Sequence, residues 1–146
     1  HDLVRRALAP KGFELDFWKI AMRPGKPLIF GRLGNTPLLG LPGNPVSSLV
    51  CAMLFLKPAI SAMLGMDKAT TSVQATLLKN LPANNSRQDY LRARTEIRGG
   101  ELHVEAFVMQ DSSMLKLLAS ADALIVRAPH APAASAGERV LILPLG

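Results

Sequence analysis

The junction G-L-P-G-N-P-V-S-S, Gly40 to Ser48, constrains this chain more than any other stretch. A Pro/Gly-punctuated turn feeds straight into an apolar segment. Asn44 is a good helix N-cap, and Pro45 falls at the first helical position, where a missing N–H costs nothing. A helix is therefore expected from Pro45 to Leu64, with Gly65 as its C-cap. Leu49, Val50, Met53, Leu54 and Leu56 make it apolar on most sides, which calls for burial in a larger body. Pro58 is expected to kink or divide it.

The residues before this junction read as strands and loops. Asp2 to Ala9 fits a short helix ended by Pro10 and Gly12, and Phe13 to Phe17 alternates strictly, as a half-buried strand does. Leu28-Ile29-Phe30 and Pro37 to Leu41 read as two short buried strands around a Gly34-Asn35 turn. The first loop, Met22 to Pro27, carries Arg23 and Lys26 on a stiff Pro-Gly frame. The second, Pro42-Gly43-Asn44-Pro45, would leave the N–H groups of Val46, Ser47 and Ser48 and a hydroxyl at the positive end of a helix dipole. Together the two loops could form an anion site; alternatively they are ordinary turns with solvated cations. Gly25-Lys26 is no Walker loop, because Ile20 and Pro27 stand where that motif needs Gly and Ser/Thr.

The periodicity changes after Met66. Residues 67–71 read as a linker between a first unit, 1–66, and a second, 72–146. Ser72–Leu77, Asp89–Arg98, Glu101–Phe107, Ala123–Val126 and Arg139–Leu143 read as strands, with Gly99-Gly100 as a hairpin turn. Short strands at this spacing suggest a small β-barrel or sandwich. The expected fold class is thus an α/β fragment followed by a small all-β, barrel-like domain. Met114 to Ala119 reads as a short helix opened by Asp111-Ser112-Ser113, and Ala128 to Ala136 as an Ala/Pro-rich surface loop. Tyr90, Arg92 and Arg94 share one strand face, by default a polar outer one, opposite Leu91 and Ala93.

Charge narrows the partners. The formal net charge is +6, and residues 1–65 hold eight Lys/Arg against three acids, so the excess travels with the two loops. That favours a small anion. One Trp and one Tyr leave no aromatic interleaving for nucleic acid. The single Cys excludes a disulfide framework and a Cys-based metal site, and fits a reducing, cytoplasmic compartment. Cys51, inside the apolar run, reads as a small buried hydrophobe rather than a nucleophile. No uninterrupted apolar run reaches a membrane span of about 20 residues, since Lys57-Pro58 interrupts the longest. The start at His1-Asp2, without Met, is expected to follow an upstream part.

R-P-G-K-P-L-I-F-G followed by G-L-P-G-N-P-V-S-S resembles the molybdopterin molybdenumtransferase family, of the MoeA and gephyrin E-domain type. The resemblance spans the whole chain but only the C-terminal third or so of a family member: the end of the third subdomain and the fourth. It implies insertion of molybdenum into adenylylated molybdopterin with release of AMP, assisted by magnesium. It places the molybdate site on Arg23, Lys26 and Pro27, on Ser47, on Arg87 or Arg92, and on Ser112, and it makes Asp2, Lys19 and Lys26 the catalytic residues, Asp2 also a possible magnesium ligand. Two departures stand out: Arg23 where Lys is common, and Asp111 beside Ser112 where a small or neutral residue is usual. The resemblance implies a homodimer and a link to the upstream adenylyltransferase, and the fragment alone is expected to be inactive. A gephyrin-like scaffold module is the alternative.

Overall fold

A computed structural model describes residues 2–66, 71–110 and 119–145. Helix α1 (Asp2–Leu8) runs into a short 3-10 turn (Ala9–Lys11), and strand β1 (Phe13–Trp18) follows. It pairs antiparallel with β3 (Ile29–Leu33), which pairs with β4 (Thr36–Gly40) across the two-residue Gly34-Asn35 turn. The half-buried expectation for the first strand fails. The middle of β1 is exposed, Leu15 and Phe17 included, because nothing within the described residues covers that face. Of the two strands read as buried, β3 buries Ile29 and Gly31, whereas β4 buries none of its residues.

The apolar segment forms one continuous 19-residue helix, Pro45–Met63. It begins as α2 (Pro45–Cys51), widens at Ala52–Leu56, and resumes as α3 (Lys57–Met63). In the wide part the Lys57 N–H reaches back five residues to the Ala52 carbonyl. Pro58 lacks an N–H and would crowd the carbonyl four residues before it; the extra residue in the turn gives its ring room. Lys57-Pro58 therefore widens the helix instead of dividing it. By length and composition alone the helix could cross a membrane. Here its first two turns bury Val46, Val50 and Cys51, whereas α3 buries nothing, against the expectation of burial throughout. Gly65, at φ 66, closes it: the Met66 N–H donates to the Ser61 carbonyl and the Gly65 N–H to that of Ala62.

The second half is a closed five-stranded barrel. Its strands β5 (Val73–Leu77), β6 (Gln88–Arg98), β7 (Glu101–Ala106), β8 (Ala123–Arg127) and β9 (Arg139–Pro144) run in the order β6-β7-β5-β9-β8, and β8 pairs back onto β6. Closure leaves no free sheet edge, and the inward residues Ala75, Leu77, Ala93, Val104, Ile125 and Ile142 fill the lumen. The Ala/Pro-rich loop is stitched down: Leu81 and Ala134 exchange backbone hydrogen bonds, and buried Arg127 donates to the carbonyls of Pro82 and Pro132. The short helix expected over Met114–Ala119 falls almost wholly outside the described residues.

One pairing was not foreseen. Met22 and Arg23, expected as loop, form a two-residue strand, β2, parallel to Gln88 and Asp89 of β6. The loop between β1 and β3 is a long hairpin whose stem continues through Lys19 to Leu28 and Ile20 to Lys26, and its tip is sewn to the barrel. Behind the tip, Met22, Leu28, Val50 and Cys51 pack on Leu124 of the barrel, joined by Tyr90 and Leu143. Each such fully buried side chain contributes roughly 1.5–3 kcal/mol, so apolar burial couples the two halves at the hairpin tip.

Candidate functional site

The hairpin tip carries the cations. The Arg23–Pro24 peptide is cis, and Gly25 takes φ +117. A Cβ on Gly25 would lie 2.5 Å from the Cys51 sulfur and 3.1 Å from Met22 Cε, so the loop backbone rests directly on the helix. Cys51 points its sulfur at the Gly25 carbonyl, 3.8 Å away. Burial pushes its thiol up to about 11, so it remains protonated near neutral pH and is no nucleophile. The tip therefore sits on a fixed apolar floor with Lys26 exposed above it. Lys19 stands lower on the stem at φ 69, its Nζ 3.9 Å from the centre of the Trp18 ring.

Arg23 is not a free cation. Its Nη2 binds Oδ2 of Asp89, its neighbour in the β2–β6 register. Half of the Arg23 side chain is exposed; that of Asp89 is 3% exposed. The second carboxylate oxygen, Oδ1, is buried without a hydrogen-bond partner. Sequence reasoning missed Asp89. A signal was present, because Asp89 alternates with Leu91 and Ala93 on the apolar face of β6, where a charge needs a partner.

Arg92 is 1% exposed, which corrects the default reading of its strand face as a polar outer one. At its Tyr90 end that face is covered by the first half of the chain, where Tyr90 joins the cluster under the hairpin, whereas Arg94 is exposed. Burial raises the Tyr90 phenol, whose oxygen accepts a bond from Gln88 that lowers it in part. Gln110 stands in for a missing strand residue beside Arg92. Its side-chain oxygen accepts the Arg92 N–H at 3.0 Å, and its amide donates to the Arg92 and Phe107 carbonyls at 3.0 and 2.8 Å. This holds Gln110 against β6. Arg87 lies apart, half-buried in the turn before β6, where Asn84 and Asn85 fix its backbone.

The helix start is less open than expected. Asn44 Oδ1 accepts the Ser47 N–H at 3.2 Å, and the Asn44 carbonyl accepts the Ser48 N–H at 2.8 Å. Two of the three N–H groups assigned to an anion are thus engaged, as a good cap requires. Pro42 and Ser47 are buried, Asn44 is half-buried, and Gly43 and Pro45 are exposed. The Ser47 hydroxyl has no hydrogen-bond partner among the described residues.

A cleft of about 530 Å³ opens where the hairpin tip meets the barrel. Arg23 and Gln110 both line it, with Lys79 and Asn80 across from them, and Lys79 is paired with Glu105 at 2.6 Å. Of the expected site residues, the structure brings Arg23 to this cleft. Lys26 and Pro27 share the tip with Arg23, while Ser47, Arg87, Arg92 and Lys19 lie outside the lining. Ser112 and the Asp2 side chain fall outside the described residues. Among the described residues no three His, Cys, Asp or Glu gather into a metal-ligand set.

The chain is thus an α/β unit whose basic hairpin is sewn to a closed β-barrel. Residues 1–62 match the family model described as "Probable molybdopterin binding domain", and residues 74–145 match "MoeA C-terminal region (domain IV)". The chain belongs to the MoeA-type molybdopterin molybdenumtransferase family. It is 34% identical over 142 residues to the molybdopterin molybdenumtransferase of Haemophilus influenzae, covering 95% of this chain and 35% of the relative. It is 36% identical to the molybdenum cofactor synthesis protein cinnamon of Drosophila melanogaster, covering 94% of this chain and 24% of that one. A molybdopterin biosynthesis MoeA protein from Pyrococcus horikosii shares the fold with TM-score 0.80 at 23% identity, over 99% of this chain and 35% of its own. The chain thus spans about a third or less of the length of these relatives.

Proposed function

We infer that this chain forms the molybdate-handling part of a molybdopterin molybdenumtransferase, which inserts molybdenum into adenylylated molybdopterin and releases AMP. The observation that carries the reading is the basic hairpin tip, Arg23 to Pro27, fixed to the barrel by β2 and seated on an apolar floor. Molybdate is a tetrahedral dianion. Lys26 supplies an exposed point charge, and Arg23 has guanidinium N–H groups beyond the one bound to Asp89. Ser47 adds a hydroxyl, and either Arg92, whose backbone Gln110 holds, or Arg87 adds a further cation. Ser112, two residues past Gln110, closes the set. The protein's work is then largely to hold the oxyanion in register with the pterin. Lys19 and Asp2 belong to the same proposal as catalytic groups. So do a homodimer, a link to the upstream adenylyltransferase, a cytoplasmic setting, and magnesium, with Asp2 as its possible ligand. A scaffold module of the gephyrin kind is not favoured, because the relatives are named for the transferase and for cofactor synthesis.

The test is calorimetric titration of molybdate, with sulfate as control, into the full-length protein and its Lys26→Ala variant. Binding that discriminates against sulfate and weakens by about tenfold or more in the variant is expected, the loss of one charge-assisted contact. Equal binding in both proteins would make the hairpin tip a structural turn.

A further inference from the structure

Asp89 is a buried carboxylate on the apolar face of β6 with one hydrogen-bond partner, Arg23, and a second oxygen buried without one. A carboxylate in that state is poorly compensated, and a neutral side chain of the same shape would be easier to bury. Its cross-strand neighbour Arg127 gives no relief, because that guanidinium donates to the carbonyls of Pro82 and Pro132. What the carboxylate does accomplish is geometric. Arg23 is half exposed at the edge of the cleft, on a two-residue strand. An arginine there has many rotamers, and the bond to Asp89 holds one end of its planar fork. The remaining N–H groups are left in a fixed direction.

We propose that Asp89 is the positioning residue of the oxyanion site, orienting the Arg23 guanidinium at the mouth of the cleft so that its free N–H groups meet a tetrahedral oxyanion. This rests on the oxyanion-binding reading of the hairpin tip. Asp89 touches no substrate and acts through Arg23. Its negative charge also offsets part of the cationic field, so retention depends on directed hydrogen bonds more than on net charge, and anions of other size or shape gain less. Such a pairing suits a chain with Arg at this position, since a lysine has no second nitrogen to spare for the oxyanion.

The experiment is a double-mutant cycle on the full-length protein: wild type, Asp89→Asn, Arg23→Ala and the double variant, each titrated with molybdate and with sulfate and each melted. Positioning gives a loss of about tenfold in molybdate affinity for either single variant, and a double variant no weaker than the worse of the two. It also gives a smaller molybdate-to-sulfate preference in Asp89→Asn at a melting temperature close to wild type, which a purely structural role would not produce. Unchanged molybdate affinity in Asp89→Asn, with a loss in Arg23→Ala, overturns the positioning role and leaves the oxyanion reading standing. Losses that add in the double variant also overturn it, because Asp89 would then act independently of Arg23. Absence of molybdate binding in wild type overturns both. Should Asp89→Asn fail to fold, Asp89→Glu replaces it: its carboxylate stands one methylene further out, so weakened binding in a folded protein supports positioning and wild-type affinity overturns it.

Discussion

The two halves of the molecule solve the burial problem differently. The barrel closes on itself, and its lumen residues are almost wholly excluded from solvent. The first half does not close. Ile60 is 47% exposed, Met63 78% and Leu64 68%, and an apolar groove of about 410 Å³ runs between Phe17 and Phe30 of the small sheet and Phe55 and Met63 of the helix. Much of what it buries leans on the barrel, around Met22, Leu28, Val50 and Cys51, whereas Ile29 and Val46 are buried outside that cluster. The hairpin-tip cations Arg23 and Lys26 sit on the half that is stabilised from outside, and the barrel is the reference that keeps them in place. A site assembled this way is as rigid as the contact between its halves.

The contrast breaks most directly on a matched pair of isoleucines. Ile125 is 0% exposed in the lumen, and Ile60 lies on the open side of the helix. Ile125→Ala should cost about 3–4 kcal/mol, transfer plus cavity, and Ile60→Ala less than about 1 kcal/mol. Urea unfolding of the two variants checks this; comparable losses would mean that the helix face is covered in solution.

A smaller effect probes the seam itself. Gly25→Ala asks a Cβ to occupy the space of the Cys51 sulfur at a backbone angle that side chains rarely adopt. A loss of about 2 kcal/mol is expected. Cys51→Ala in the same background removes the sulfur and should recover part of it, while the backbone strain remains. No recovery would place the whole cost in the backbone.

The barrel was readable in the sequence and the seam was not, for a physical reason. Alternation and the Gly99-Gly100 turn are local properties, so strands expected at Asp89–Arg98 and Ala123–Val126 appear as Gln88–Arg98 and Ala123–Arg127. The helix start was equally local: Asn44 and Pro45 mark it unaided. By contrast, β2 is two residues long and exists only because β6 lies beside it. Alternation also shows that Arg92 and Asp89 lie on opposite faces without showing what covers either. Arg92 proved buried where the first half lies over its end of that face, and Asp89 proved buried where β2 of the hairpin pairs beside it. Arg23, Lys26 and Pro27 were named from sequence and do share the hairpin tip. The roles of Asp89 and Gln110, and the cleft that Arg23 and Gln110 line, depend on pairings between residues far apart in the chain.

The smallest expected effect separates the two loops as candidates for the anion. Asn44 caps the helix through the Ser47 N–H, so Asn44→Ala should cost about 1 kcal/mol of stability. The substitution also releases that N–H at the positive end of the helix. If the hairpin tip holds the oxyanion, molybdate affinity in Asn44→Ala stays within about twofold of wild type, since the cap contributes only to folding. If instead the helix start is the anion site, the freed N–H tightens binding, or the loss of the Asn44 side chain weakens it as strongly as Lys26→Ala does. Thermal melts alongside calorimetry distinguish the two, because the stability loss is common to both and the affinity change is not. A change in affinity without a change in Lys26→Ala would move the site from the hairpin, anchored to the barrel, onto the helix of the open half.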